Sequence, residues 1–387
     1  MTYDPAQEYY GGHSSGRTRQ SSGKEDGVVL TILVPAHKGG TIPGSSARPQ
    51  ILEMLDSLAA QTVQPDRTIV LVNNCKDDTP ELAEQAGAEV AVVPPNPDKK
   101  AGALNWWLDS HLDEQADEDL LMVMDADTIL NPDFIENALK YVAKGYHAVG
   151  GVFLGKEGGH SVGMLQRNEY ARYARDVQRR NGKALVLTGT ATMFTARCLK
   201  DVIIGRELGV IPNSAETGRT AQVYDTRALT EDNELTFAIL HLGYAIIAPE
   251  ECGLTTEVMG TWRDLAKQRE RWKRGAIENN RHYGLTRYTW NYWRLQIWGQ
   301  IGIVVTMIYL ASLGWAVATD NIQLYWMWIV VTVVYAVERF VTVVKRRGVL
   351  QGFVGAAIFI EMPYDIFLQI VQLKAVLAST FRTSARW

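Results

Sequence analysis

Short apolar runs alternate with amphipathic stretches over the first two thirds of the chain. The runs at 28–36, 68–73, 88–94 and 119–125 predict buried strands, and apolar residues recur at helical spacing between them, for example over 100–112. Strands that alternate with helices predict an α/β fold, with a mostly parallel sheet and helices on both faces. Ligands of such sheets bind beyond the carboxyl ends of the strands. Polar residues at those ends are therefore the first candidates for a functional site.

The last third of the chain has a different pattern. The apolar stretches 298–317 and 325–344 each match the ~20 residues that cross a bilayer, and aromatic residues lie near their ends. Two buried helices of a soluble domain are the alternative. A third segment, 349–380, is apolar but contains Glu361 and Asp365, which are costly in lipid unless they face protein or water. The pattern leaves open whether this segment spans the bilayer or lies at its surface.

The charge pattern predicts how these segments are oriented. Lysine and arginine are concentrated before the first predicted span, over 261–296, and directly after the second, at 345–347. Both flanks are therefore expected to be cytoplasmic. This predicts a multi-pass protein of the cell (inner or plasma) membrane, whose N-terminal domain is cytoplasmic.

Four regions follow from these patterns. Residues 1–27 are polar and rich in glycine and serine, which predicts a disordered tail. Residues 28–260 form the sheet domain, 261–296 form basic amphipathic helices at the membrane surface, and 297–387 form the transmembrane or membrane-associated region. With 387 residues and 47% hydrophobic content, the chain is long enough for a large core.

Composition excludes several classes of function. The net charge of −4 gives no overall attraction to nucleic acid, so a nucleic-acid partner is not expected. The three cysteines, at positions 75, 198 and 252, are widely separated and lack C-x-x-C spacing. A disulfide framework or a zinc site is therefore not expected, and the sheet domain fits a reducing compartment.

Two aspartates lie at the end of the fourth predicted strand. Asp125 and Asp127 are separated by one alanine, so both carboxylates project from the same face of an extended chain. The pair concentrates negative charge and favours a bound cation. A solvated turn before Pro132 explains the pair almost as well when it is considered alone.

Several stretches together resemble the family 2 glycosyltransferases, and among them the membrane-bound processive synthases of β-linked polysaccharides such as cellulose, hyaluronan and poly-N-acetylglucosamine. They follow the family order and are followed by apolar spans. The matching stretches are "ILVPAHK" (32–38), "VNNCKDDT" (72–79), "KAGALN" (100–105), "DAD" (125–127), "TED" (230–232) and "QRERW" (268–272). The whole ordered set is far more specific than any single motif.

The resemblance implies a GT-A-like fold that binds a nucleotide-diphosphate sugar with Mg²⁺ or Mn²⁺. Asp127 is then the metal ligand, and Asp125 contacts the ribose or the metal. The sequence departs from the family at Asn73, where aspartate is usual, so the base is less firmly indicated, with uridine favoured over guanosine. The resemblance also implies which residues bind the nucleotide sugar. They are Pro35, Ala36, Asn73, Asp78, Lys100, Asp125 and Arg271.

The "TED" stretch holds the candidate catalytic residues Glu231 and Asp232. An inverting transfer needs a base that takes the proton of the acceptor hydroxyl, and such a base contributes about 10² to 10⁴ in rate. Thr230 is a plausible N-cap, which places Asp232 in the first turn of a helix. By resemblance Asp232 is this base. As an isolated tripeptide, the stretch is better explained as a helix cap.

The acceptor is assigned to two other stretches. Helical spacing places Gln268, Arg271 and Trp272 within one turn, and by resemblance Trp272 packs beneath the acceptor sugar while Arg271 steadies the diphosphate. A basic amphipathic helix on the membrane surface explains the same residues. Gly189 and Thr190 resemble the acceptor-side segment of the family, although a core strand with a glycine bulge fits them too.

The sequence thus predicts a membrane-anchored inverting glycosyltransferase that extends a β-linked polysaccharide from a UDP-sugar. Its expected partners are the UDP-sugar, a glycan or lipid-linked acceptor, the bilayer and a second copy of the chain. The alternative is a non-processive enzyme that adds one sugar to a lipid carrier or glycolipid. An inactive membrane scaffold and a nucleotidyltransferase are further alternatives, but the latter gives no reason for Gln268, Arg271 and Trp272 to precede membrane spans.

Overall fold

The computed structural model describes residues 27–41, 47–213, 220–320 and 326–381. The predicted disordered tail, apart from Gly27, lies outside these residues. The described chain divides into two compact units. The first unit comprises the chain up to Phe153 together with Arg180–Thr256, and the second comprises Leu154–Arg179 together with the chain from Glu257 onward.

A seven-stranded sheet forms the centre of the first unit, in the order β3-β2-β1-β4-β8-β6-β9. Strands β1 to β4 are parallel, β8 is antiparallel to both of its neighbours, and β6 is parallel to β9. The four predicted strands are β1 to β4, so the prediction of a mostly parallel sheet is confirmed. Strands β5 and β10 pair antiparallel outside this sheet. The strand bounds are β1 Leu30–Ala36, β2 Arg67–Val72, β3 Glu89–Val92, β4 Leu120–Met124, β5 Ile129–Leu130, β6 Ala148–Gly150, β7 Val152–Gly155, β8 Ala191–Thr195, β9 Ile246–Ile247 and β10 Gly253–Thr256.

Helices of the first unit pack against this sheet through their apolar faces. Helix α1 buries Ile51, Met54 and Leu58, which recur at helical spacing, and α3 buries Leu104 and Leu108. The strands they cover are mostly apolar, as expected for a sheet covered on both faces. The helix bounds in this unit are α1 Gln50–Ala59, α2 Thr79–Gln85, α3 Lys99–His111, α4 Phe134–Val142, α6 Ala196–Glu207 and α7 Glu231–His241.

The second unit is mainly helical over its described residues, apart from the end of β7. Helix α5 belongs to it, although it lies between strands of the first unit in sequence. Val162 and Leu165 of α5 pack with Leu265 of α8 and Tyr364 of α12 in one buried cluster. The helix bounds are α5 His160–Arg179, α8 Trp262–Tyr283, α9 Trp290–Ala318, α10 Trp326–Arg347, α11 Val349–Ala356 and α12 Ile358–Thr380.

The predicted membrane spans fall on the last four helices. Within the described ranges, α9 alone is long and apolar enough to cross a bilayer, and α11 with α12, bent by 66°, would make a second such span. The first predicted span, 298–317, lies within α9. Of the second, 325–344, residues 326–344 lie on α10, and Tyr325 lies outside the described residues. The C-terminal half of this span carries Glu338 and Arg339, and α10 does not reach the apolar character of α9.

The acidic residues of the third apolar segment face protein. Glu361 is fully buried and accepts hydrogen bonds from Arg172 Nη1 (2.7 Å) and Asn168 Nδ2 (3.1 Å). Asp365 accepts bonds from Arg339 Nη2 (2.9 Å) and from the hydroxyl of Tyr335 (3.1 Å). The cost of these carboxylates in an apolar helix is therefore offset by paired cations on α5 and α10.

Candidate active site

Lys100 lies at the centre of a charged cluster beyond the carboxyl end of β4. Its ammonium is 2.5 Å from Asp125 Oδ1, donates to the carbonyl of Gly189 at 3.0 Å, and lies 3.9 Å from Glu231 Oε1. Lys100 is in the first turn of α3, Asp125 follows β4, Gly189 precedes β8 and Glu231 begins α7. The fold thus joins four separate segments at the edge of the sheet where ligands of parallel sheets bind.

The Asp232 carboxylate is fixed by backbone amides next to this cluster. Gly189 N–H donates to Oδ2 at 3.0 Å, and Asn233 N–H donates to Oδ1 at 2.8 Å. Asp232 is the second residue of α7, where the helix dipole favours negative charge. Thr230 is at the N-cap position, as expected, but its side chain makes no capping hydrogen bond. The carboxylate is therefore oriented by Gly189 and the helix start.

The surrounding charges keep Lys100 protonated. Burial opposes the charged form, but Asp125, Glu231 and Asp232 together raise the pKa of Lys100 above its ordinary value. Burial also raises the pKa of Tyr224, which stays a neutral phenol. The cluster therefore holds one permanent cation among three carboxylates.

A small cavity of about 20 Å³ lies against this cluster. A space of this size holds about one water molecule. Threonine side chains and the phenol ring of Tyr224 line it together with apolar residues of β4, β8 and α7. Thr190, one of the predicted acceptor residues, shares a 2.7 Å hydroxyl hydrogen bond with Thr188, and its carbonyl accepts from Asp125 N–H at 3.0 Å. The cavity-lining residues are Lys100, Val123, Leu187, Thr188, Gly189, Thr192, Phe194, Tyr224, Glu231, Asp232, Leu235 and Thr236.

Asp125 and Asp127 fit a divalent cation that the substrate helps to hold. In the part of the chain that the structure describes, no group of three or more His, Cys, Asp or Glu side chains is arranged to hold a metal ion by itself. Mg²⁺ is typically bound by one or two carboxylates together with substrate phosphates, so a pair of aspartates at a strand end is a suitable donor set. Asp127 is two residues beyond Asp125 and is partly exposed.

Asn73 holds the start of helix α3. Its side chain is 5% exposed, and Nδ2 donates to the carbonyl of Lys99 at 2.8 Å. Its Oδ1 accepts from Asn96 Nδ2 at 2.9 Å and from Asn74 Nδ2 at 3.1 Å. An ionised aspartate has no donor for the Lys99 carbonyl. The asparagine at this position therefore has a local structural role, because its side-chain amide holds the backbone of Lys99, the residue before Lys100.

Asp78, a predicted nucleotide-binding residue after β2, is hydrogen-bonded to the segment that follows β1. Asp78 Oδ1 accepts from Thr41 N–H at 2.7 Å, and its Oδ2 accepts from the Thr41 hydroxyl at 2.5 Å. These bonds lower the pKa of Asp78. Pro35 and Ala36 end β1 and pair with Leu71 and Val72 of β2. All of these residues lie at the carboxyl edge of the parallel strands.

The predicted acceptor residues Gln268, Arg271 and Trp272 lie on α8, in the second unit. The buried residue of this stretch is Arg269, which is 2% exposed. It donates through Nη1 to Gln268 Oε1 and through Nη2 to Glu169 Oε2, both at 2.8 Å, and its guanidinium lies 4.4 Å from the centre of the Trp272 ring. Arg269 thus contacts two of the three predicted residues. The motif gave no reason to single it out.

The chain is similar to a mannosyltransferase from Pyrobaculum calidifontis, solved with GDP-Man and Mn²⁺, at 16% identity over 92% of this chain and 88% of that chain, with a TM-score of 0.56. A glucosyl-3-phosphoglycerate synthase from Mycobacterium tuberculosis, solved with Mn²⁺, UDP and glucosyl-3-phosphoglycerate, matches 70% of this chain and 88% of that chain at 18% identity, with a TM-score of 0.42. No curated protein sequence matches significantly.

At these identities, the likeness to the mannosyltransferase shows the GT-A-like fold alone. The sequence itself carries more, since the family model described as "Glycosyltransferase like family 2" matches residues 30–275. That range includes every predicted site residue, from Pro35 to Trp272. The chain belongs to the family 2-like glycosyltransferases.

Proposed function

We propose that this glycosyltransferase is membrane-anchored and inverting, and that it transfers a sugar from a UDP-sugar to a growing β-linked polysaccharide. The observation that carries the proposal is the cluster of Lys100, Asp125 and Asp232 at the carboxyl edge of the sheet. It combines a fixed carboxylate, a fixed ammonium and a carboxylate pair in the place where a diphosphate sugar would bind.

Asp232 is proposed as the general base. The acceptor hydroxyl loses its proton to the carboxylate while its oxygen forms a bond to the anomeric carbon, and the bond from that carbon to the UDP oxygen breaks on the opposite face. The configuration at the anomeric carbon is thereby inverted. Gly189 N–H donates to Oδ2 at 3.0 Å and holds the carboxylate in one orientation, so the side chain need not rotate before it accepts the proton.

Asp125 and Asp127 are proposed to hold Mg²⁺ or Mn²⁺ together with the donor diphosphate. A bound divalent cation stabilises the negative charge that grows on the leaving diphosphate. Lys100 is placed to hold Asp125 in position from the protein side, and Glu231 keeps the ammonium near the cluster. Asn73 and Asp78 are proposed to lie beside the nucleobase of the donor, in the segments that their side chains hold in place.

The acceptor is assigned to Trp272 and Gln268 on α8, with Arg271 near the diphosphate, as the family resemblance implies. Arg269 supports this proposal, because its guanidinium stacks on the Trp272 ring and its Nη1 binds Gln268. A ring held by a buried cation presents a rigid flat surface, which suits the C–H faces of a sugar. Gly189 and Thr190 are proposed as acceptor-side residues of the first unit.

Membrane attachment is supported by the surface of α9. Only 6% of its most apolar window is buried, and Trp298, Ile308 and Trp315 are more than 60% exposed. A buried helix of a soluble domain does not expose such residues. We propose a cytoplasmic catalytic domain at the cell membrane and self-association of the chain.

The donor is tested by incubating the purified full chain with a panel of UDP-sugars and GDP-sugars in Mn²⁺ and measuring nucleoside diphosphate release. We expect release from one UDP-sugar, which EDTA abolishes. Release from a GDP-sugar alone would contradict the assignment of uridine.

The product is tested separately with membranes that contain the protein and the active donor. Long polymer is the expected product. A lipid that carries a single sugar would contradict processive elongation and establish the non-processive alternative.

Gly189→Ala tests the cluster without removing any of its charges. The added Cβ would lie 2.8 Å from Lys100 Nζ, so the ammonium must shift from its present position between Asp125 and the Gly189 carbonyl. A charge-assisted hydrogen bond is worth about 1.5–3 kcal/mol, so we expect sugar transfer to fall about tenfold or more. The thermal midpoint should hardly change, because the displaced group is the end of a flexible side chain. Gly260→Ala is the control, since its Cβ would meet nothing within 4 Å. Equal rates for the two variants would count against the cluster.

A further inference from the structure

A polar cavity of about 330 Å³ lies in the second unit, lined entirely by residues of α5 and α10. Three of its lining residues are arginines, namely Arg172, Arg175 and Arg339, and two are acidic, namely Asp176 and Glu338. Cavities of this size accommodate small ligands or lipid headgroups. Nothing in the proposed sugar transfer uses these residues.

The three guanidiniums are fixed in place by carboxylates. Arg172 binds the buried Glu361, and Arg339 binds Asp365. Arg175 Nη1 donates to Glu338 Oε1 at 2.7 Å, and the Glu338 side chain is 45% exposed. A guanidinium that is already ordered loses little further conformational freedom when it binds a ligand. The three guanidiniums are therefore ordered before any ligand binds.

Most guanidinium donors of the cavity are not used by these carboxylates. Each arginine has five N–H donors, and the hydrogen bonds to carboxylates within the described residues use one nitrogen of each of the three. Arg339 Nη1 is buried, lies 3.8 Å from Glu361 Oε2 and has no hydrogen-bond partner among the described residues. Paired N–H donors of a planar guanidinium match the oxygens of a phosphate. The unused donors thus point to a phosphate group as the ligand.

An apolar strip runs along α10 next to the cavity. Val330, Val334, Val337 and Val341 follow one another at intervals of four, three and four residues and are 38–62% exposed. This spacing places them on one face of the helix. Each of the last three directly precedes a cavity residue, namely Tyr335, Glu338 or Thr342. A ligand with a phosphate and an apolar chain can contact both surfaces.

We propose that the cavity binds the phosphate of an anionic membrane lipid, whose apolar chain lies along Val334, Val337 and Val341. The site goes beyond sugar transfer, although it relies on the membrane contact proposed above. Glu338 competes with the lipid phosphate for Arg175. Removing this carboxylate therefore strengthens binding, while removing the Arg175 charge weakens it.

The test uses the full chain in a non-ionic detergent and dihexanoyl phosphatidate, a water-soluble short-chain lipid, with binding measured by calorimetry. Arg175→Gln should weaken binding about tenfold, as expected for the loss of a charge-assisted contact. Glu338→Gln should tighten it several-fold. Arg263→Gln, which removes an exposed arginine of α8 and changes the net charge equally, should bind as the unchanged chain does. Thermal midpoints establish that the variants are folded.

Several results would overturn the proposal. Equal affinity of the unchanged chain and Arg175→Gln would exclude the cavity, and weakening by both cavity variants would indicate a merely structural network. Inorganic phosphate binding as tightly as phosphatidate would show a site for a free anion. Equal binding of dihexanoyl phosphatidylcholine would show that headgroup charge has no role. UDP release is measured on the same samples, so failure of the transferase proposal is recognised separately from failure of lipid binding.

Discussion

Asp232→Asn is expected to lower the rate of sugar transfer by about 10² to 10⁴, the contribution of a general base. Asparagine has nearly the same shape and can still accept the Gly189 N–H, but it cannot take a proton from the acceptor hydroxyl. The position of α7 and the donor cluster should therefore be preserved. The measurement is the initial rate of donor-dependent UDP release together with the affinity for UDP, which should not change.

Asp117→Asn is the matched control, because this aspartate is 47% exposed and pairs with Lys200 at the surface. Its rate should equal that of the unchanged chain. If Asp232→Asn also retained full activity, Asp232 would not be the base. An inactive variant that no longer binds UDP would instead show that Asp232 acts in donor binding.

Arg206→Met is expected to destabilise the first unit by about 3–5 kcal/mol, the usual cost of leaving one partner of a buried ion pair alone. Arg206 and Glu234 are 3% and 0% exposed, and Arg206 Nη2 donates to Glu234 Oε2 at 2.7 Å. The same guanidinium donates to the carbonyls of Pro212 and Val223. For a domain of this size, the loss corresponds to a fall in thermal midpoint of about 6–20 °C, measured by intrinsic fluorescence.

Arg197→Met provides the control on the same helix. Arg197 is 57% exposed and lies 3.9 Å from Asp201, and exposed pairs of this kind contribute about 0–1 kcal/mol. The double variant Arg206→Met with Glu234→Met should recover part of the loss, since no buried charge is then left alone. A midpoint for Arg206→Met within about 2 °C of the control, or less than 1 kcal/mol for such a domain, would show that the pair does not hold α7.

The sheet could be predicted from the sequence because its signal is local. Each of the first four strands is a continuous apolar run, and the runs alternate with helical spacing, so the order of elements follows from periodicity alone. The antiparallel β8 was not predicted as such. Its pairing with β4 and β6 depends on contacts between segments about 70 and 45 residues apart, respectively, which the pattern within a strand does not contain.

The sequence was enough to predict which residues belong to the candidate site, but not which contacts they make. The carboxylates after β4 and at the start of α7 are visible in the motifs. Lys100 and Gly189 connect these carboxylates, and the two residues, which are hydrogen-bonded to each other, are 89 residues apart in sequence. Arg206, Glu234 and Arg269 were missed because a buried charge has no distinct sequence signal, and only the fold shows its partner. The roles of the site residues remain predictions that the variants above test.

The most direct test of the donor site is the affinity of the full chain for UDP, measured by calorimetry with and without Mn²⁺. We expect tight binding that requires Mn²⁺, that Asp127→Asn weakens about tenfold or more by removing one charged ligand, and that Asp232→Asn leaves unchanged. UDP binding that is equally tight without Mn²⁺ and in Asp127→Asn would contradict the assignment of the donor to the end of β4.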